Sequence, residues 1–177
     1  MNSDTIIKVA RQYVGLTESI PNAKWTSKSI VNCDKISDHL CKAMTSAGWR
    51  SGWPYCMAFA KAVYLEAFTN DAAKVALIRK LLNASVMSSY ANAKAYVSKD
   101  PTPGSIFIMQ KGTGGNGHAG IVVEVSDHSF NTVEGNTSPA PTSAEADRNG
   151  DGIYAKSRRL DFTKSSGLHL VGFIDFL

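Results

Sequence analysis

Cys56 opens the apolar run CMAFAKAVYLEAF, with Tyr55 between it and the loop SAGWRSGWP. A thiol where a loop becomes a helix meets unpaired backbone N–H groups and the positive end of the helix dipole. Both favour an anion and pull a cysteine below its usual pKa of about 8.5, which makes it a nucleophile. The same residue on the apolar face of a helix also serves as a small core residue, so Cys56 alone decides nothing. It needs a base. Four histidines are present. His39 falls in an N-terminal helical stretch upstream, His128 in the turn SDHS and His169 in a terminal strand. His118 opens the strand HAGIVVEV after a glycine-rich loop, between Gly117 and the pair Ala119-Gly120. Such small neighbours leave room for a substrate backbone and for a cysteine from a facing helix.

A base of this kind is held in one tautomer by a third polar group. The next strand ends TVEGNT, with Glu134 and Asn136 two residues apart and hence on one face of a regular strand. Their use makes a demand on the hairpin. Pairing His118 with Asn136 sets Gly120 opposite Glu134, whereas a plain two- or four-residue turn would send His118 and Glu134 to opposite faces. The spacing therefore predicts a three- or five-residue turn around Asp127-His128, or a bulge.

The elements that must carry these residues fall into two halves. Residues 4–15, 27–47, 56–68 and 71–97 show helical apolar periodicity, the first after Ser3-Asp4 as a cap and the third with Cys56, Phe59, Ala60, Val63 and Ala67 on one face. After DPTPG come short β-type runs divided by turn residues: SIFIMQ, HAGIVVEV, SFNTVEG, GIYAKSRRL and LHLVGFIDF. Helices first and strands after predict an α+β domain, an antiparallel sheet packed on helices, with all of residues 1–177 in one unit. The segment KGTGGNGH lacks the Lys-Ser/Thr ending of a phosphate loop and leads into a strand.

Composition narrows the partners. The chain is 177 residues long, 44% hydrophobic and 19% charged, with a net charge of +4, values ordinary for a globular protein. A mild basic excess suits an anionic polymer or a cell envelope. No run of five Lys/Arg and no basic–aromatic stripe points to nucleic acid. The first residues lack the pattern of a signal peptide and no apolar segment is long enough to span a bilayer, so synthesis in the cytoplasm is expected. Three cysteines, Cys33, Cys41 and Cys56, make a poor disulfide framework, and the absence of a C-x-x-C pair removes the usual zinc motif. Neither metal nor cofactor is expected. Asp147, Asn149 and Asp151 have calcium-loop spacing, but Arg158 stands where the bidentate Glu belongs, which favours an ordinary turn.

The succession WPYCMAFAKAVY, PGSIFI leading into GHAGIVVEV, VEGNT, GDGIYAKSRRL and VGF resembles the CHAP family. These are cysteine- and histidine-dependent amidohydrolases and peptidases with a papain-like core, found among enzymes that cleave cell walls. The resemblance implies Cys56 as nucleophile, His118 as general base, Glu134 as the residue that orients the histidine and Asn136 as a fourth polar member. One departure is Tyr-Cys where many relatives have Trp-Cys, a change in a wall of the site. Trp53 and Tyr55 flank the nucleophile, either lining a groove for a sugar or stem peptide or simply buried at the start of the helix. The substrate so implied is peptidoglycan, cut at the sugar–L-Ala amide, within the stem peptide or in a cross-bridge. A monomeric phage or prophage lysin that reaches the wall after release is the leading expectation. A secreted antibacterial effector with an immunity protein, an idle wall-binding or virion domain, and an amidase acting on a soluble conjugate are the alternatives.

Overall fold

The computed structural model describes residues 3–17, 34–50, 52–139 and 150–177, with the side chains of 34–38 set aside. Cys33, the first part of the helix expected over 27–47, and the Asp147–Asn149 part of the calcium-like spacing lie outside them.

Among the described residues five α-helices precede most of the sheet: α1 (Ser3–Arg11), α2 (Asp34–Ser46), α3 (Cys56–Ala67), α4 (Ala72–Leu81) and α5 (Val86–Asn92). A 3-10 turn (Lys94–Tyr96) leads into β1 (Val97–Ser98), β2 (Ile106–Lys111), β3 (Gly117–Val125), β4 (Ser129–Thr137), β5 (Gly152–Arg159) and β6 (Leu168–Ile174). The strands form one antiparallel sheet in the order β1-β6-β2-β3-β4-β5. The expected α+β architecture is the one observed.

Two helical expectations need correction. The stretch 71–97 is broken at Asn83–Ser85 because short polar side chains there offer the backbone other partners. Asn83 Oδ1 accepts from the Ser85 N–H, the Asn83 N–H donates to Ser89 Oγ, and Ser85 Oγ accepts from the Ser88 N–H as the cap of α5. Helix α3, expected to show one apolar face, is instead buried from Cys56 through Tyr64. It packs against α1, α2 and α4 as well as β3 and β4, so a helix that is apolar nearly all round lies at the centre of the molecule.

Strand alternation divides the core. Ile106, Ile108, Ala119, Ile121, Val133 and Ile153 pack with the helices, while Phe107, Val122, Phe130, Leu170 and Phe173 form a second cluster. Gly135 lets α3 come close to β4: a Cβ there would lie 2.9 Å from Phe59 Cβ. Residues Gly15–Thr17 bond to Gly152 and Ile153 and so cover part of the edge strand β5.

Candidate active site

The β3–β4 hairpin settles which residues share a face. Its pairs near the site are Ile121↔Val133 and Val122↔Thr132, and the register then slips, so that Glu124 pairs with Asn131 and Val125 with Phe130. Val123 is thus the extra residue of a bulge. Beyond it a tight turn, closed by the Ser126 N–H on Ser129 O, carries Asp127 and His128. The bulge is one of the devices the spacing demands, and it brings His118 and Glu134 to the same side. Gly120 makes room between them, since a Cβ at that position would lie 2.8 Å from Glu134 Cγ and from Phe107 Cε1.

His118 is fully buried, and its Nε2 lies 2.8 Å from Glu134 Oε2. A carboxylate can only accept, so Nε2 carries the proton and Nδ1 is the nitrogen left for other chemistry. Cys56, at the first turn of α3 and 4% exposed, is the other partner that acts on the ring. No well-aligned hydrogen bond closes at Nδ1. Burial alone would push the His118 pKa down. Interaction with Cys56 and with the Glu134 carboxylate outweighs it and lifts the value from 6.5 to about 9. Glu134 moves the other way. Burial would raise its pKa, but hydrogen bonds and charge from Arg158 and His118 hold it down at about 2. The ring also leans on Phe107, with centroids 5.9 Å apart.

Two partners of Glu134 were not anticipated from sequence. Arg158 on β5 donates from Nε to Glu134 Oε1 at 2.8 Å and from Nη2 to Oε2, and Thr132 Oγ1 donates to Oε1 at 2.5 Å. Thr132 could have been found, because it precedes Glu134 by two residues on the same strand. Arg158 could not, because the long connection before β5 hides the register of that strand.

Asn136 is buried at the end of β4, but not by simple alternation. Its φ is 58°, in the left-handed region that Asn tolerates better than most residues, and the β4–β5 register slips there, between Gly135 and Thr137. Spacing of two therefore does not by itself set Asn136 beside Glu134. Its carbonyl accepts the Gly150 N–H at 3.0 Å.

A cleft of about 210 Å³ opens beside Cys56, lined by Trp53, Pro54, Ser85, Val86, Gly115 and Gly117 among others, without a charged side chain. Trp53 is 48% exposed on its rim. Tyr55, the other aromatic considered for the groove, is 1% exposed and belongs to the core. As the residue before a central helix it is turned in with that helix. Gly115 lines the cleft with open space around its Cα: a Cβ there would meet nothing within 4 Å. The remaining histidines stand elsewhere: His39 on Glu66 at 3.1 Å, His128 in the hairpin turn and His169 beside Gly167 O. Among the described residues no group of His, Cys, Asp and Glu could hold a metal ion, and no helix is long and apolar enough to cross a membrane.

A thiol at a helix start, a buried imidazole and a carboxylate behind it constitute the working parts of a cysteine hydrolase. The family model described as CHAP domain matches residues 46–136, about half of the chain, including Cys56, His118, Glu134 and Asn136. The chain belongs to the CHAP family. No curated protein and no solved structure matches it. CHAP domains are cysteine- and histidine-dependent amidohydrolases and peptidases, associated in general with peptidoglycan. Arg158, which completes the shell around Glu134, lies outside the matched span.

Proposed function

We propose that this protein hydrolyses an amide bond in the peptide part of peptidoglycan, with Cys56 as the nucleophile, in the manner of a phage or prophage lysin. The observation that carries the reading is the chain of contacts from Cys56 through His118 to a fully buried, Arg-held Glu134. Near neutral pH the raised pKa of His118 favours imidazolium, and the thiolate form of Cys56 is the nucleophile. Cys56 Sγ adds to the amide carbonyl carbon and a tetrahedral oxyanion forms. The Cys56 backbone N–H lies at the start of α3, where Tyr55 supplies no side-chain cap, and it donates to that oxyanion. His118 then gives its Nδ1 proton to the departing amine as the C–N bond breaks, leaving a thioester. Neutral His118 takes a proton from water, hydroxide attacks the thioester, and the acid leaves as Cys56 is regenerated. Glu134 keeps Nε2 protonated throughout, and Asn136 is assigned to the polar wall behind the ring.

The uncharged cleft with its glycine floor suits an extended peptide backbone, and Trp53 on the rim suits a sugar face or a peptide stem. A net charge of +4 favours residence on an anionic wall, which the protein would meet after release from the cell that made it. The test is digestion of purified peptidoglycans of several wall types, followed by mass spectrometry and labelling of new ends. New amino groups without new reducing sugar ends are expected, and the fragment masses name the bond. New reducing ends, or no soluble fragments from any wall, would refute the reading.

A further inference from the structure

We propose that Arg158 is a positioning residue of the active site: its guanidinium grips the Glu134 carboxylate so that the carboxylate stays ionised and holds His118 for Cys56. The inference rests on the catalytic reading above but reaches beyond the family match, which ends at residue 136.

The geometry is that of a clamp. Arg158 Nε bonds Glu134 Oε1 and Nη2 bonds Oε2, a bidentate fork on a carboxylate with no exposed surface. Thr132 adds a hydroxyl to Oε1, and His118 takes Oε2. Four donors around two oxygens leave the carboxylate one orientation, and the ring inherits it. A buried carboxylate facing a single histidine has a simpler option, which is to take a proton and become neutral. Arg158 closes that option by placing a permanent cation on the side away from the ring. Among the described residues, the other titratable groups near these side chains are Cys56 from α3 on the ring, Tyr154 and Lys156 from β5, which pair with Glu134 and Thr132, and Arg159, Asp161, Lys164 and His169, which line the same cleft as Arg158. The Lys156 ammonium is turned to Ser138 O at 2.7 Å. Arg158 is therefore the cation bonded to Glu134 from β5.

Alkylation of Cys56 by iodoacetamide as a function of pH tests this without a wall substrate. Wild type should react rapidly over a broad range. In Arg158→Gln, Glu134 protonates more readily, the imidazolium loses its anchor, and the acid limb should move up by about one pH unit or more. Hydrolysis should lose kcat with little change in KM, and Arg158→Lys should recover part of the loss because charge returns without the fork. A purely structural arginine would lower the melting temperature and leave the limb in place, and that result overturns the proposal. If Arg158→Gln does not fold, the Glu134 side-chain ¹³C signal in wild type decides instead. Titration far below the ordinary carboxylate range supports the clamp, and titration near pH 4.5 refutes it. Failure of the wall assay with a displaced alkylation limb would count against the substrate and not against Arg158.

Discussion

At the residue scale, the site works by setting two ionisable groups in opposite directions from their ordinary values. Glu134 is held near 2 and His118 near 9, so each stays charged across neutral pH in the middle of the protein. This links folding to pH with a definite sign. The raised histidine contributes stability that is full below its ordinary 6.5 and is lost as pH climbs through about 9. The lowered carboxylate contributes stability that is full above 4.5 and is lost as pH falls through about 2. Urea midpoints of wild type should therefore fall between pH 6.5 and 9, while a His118→Asn variant should lose that slope. Parallel curves for the two proteins would contradict the coupling. Activity should fall over the same alkaline range, because the leaving amine needs the proton on Nδ1. Cys56, His118 and Glu134 could be picked out as candidates from residue type and position. Arg158 could not, since a salt bridge between strands depends on a register that a long connection conceals.

At the element scale, the site depends on how closely α3 is pressed to β4. Phe59, one turn below Cys56, lies against Gly135, and a methyl group there has less than normal contact distance. Gly135→Ala should cost about 1–3 kcal/mol by overpacking. Because Gly135 separates Glu134 from Asn136, it should also lower kcat by more than the lost folded fraction explains. Chemical denaturation paired with kinetics on the same samples checks both, and unchanged kcat in the folded fraction would show that helix and strand are not coupled. Five strands of the sheet and the start of α3 were legible in apolar alternation and turn residues. The bulge at Val123 was legible as one of three ways to satisfy parity. Two features were not: the short β1, whose two residues carry no periodicity, and the Asn83–Ser85 break, where side chains capture backbone groups within a sequence otherwise fit for helix.

At the scale of the whole molecule, a central helix and an antiparallel sheet meet where Cys56, His118 and Glu134 come together from three different elements. The cleft beside them is lined by uncharged residues, while the chain as a whole carries a net charge of +4. The central claim is that Cys56 performs the covalent step. Its most direct test is the rate at which soluble fragments are released from purified peptidoglycan by wild type and by Cys56→Ala, both shown to be folded. Defined fragments are expected from wild type and a fall to background for the variant. Release by Cys56→Ala at anything near the wild-type rate would contradict it.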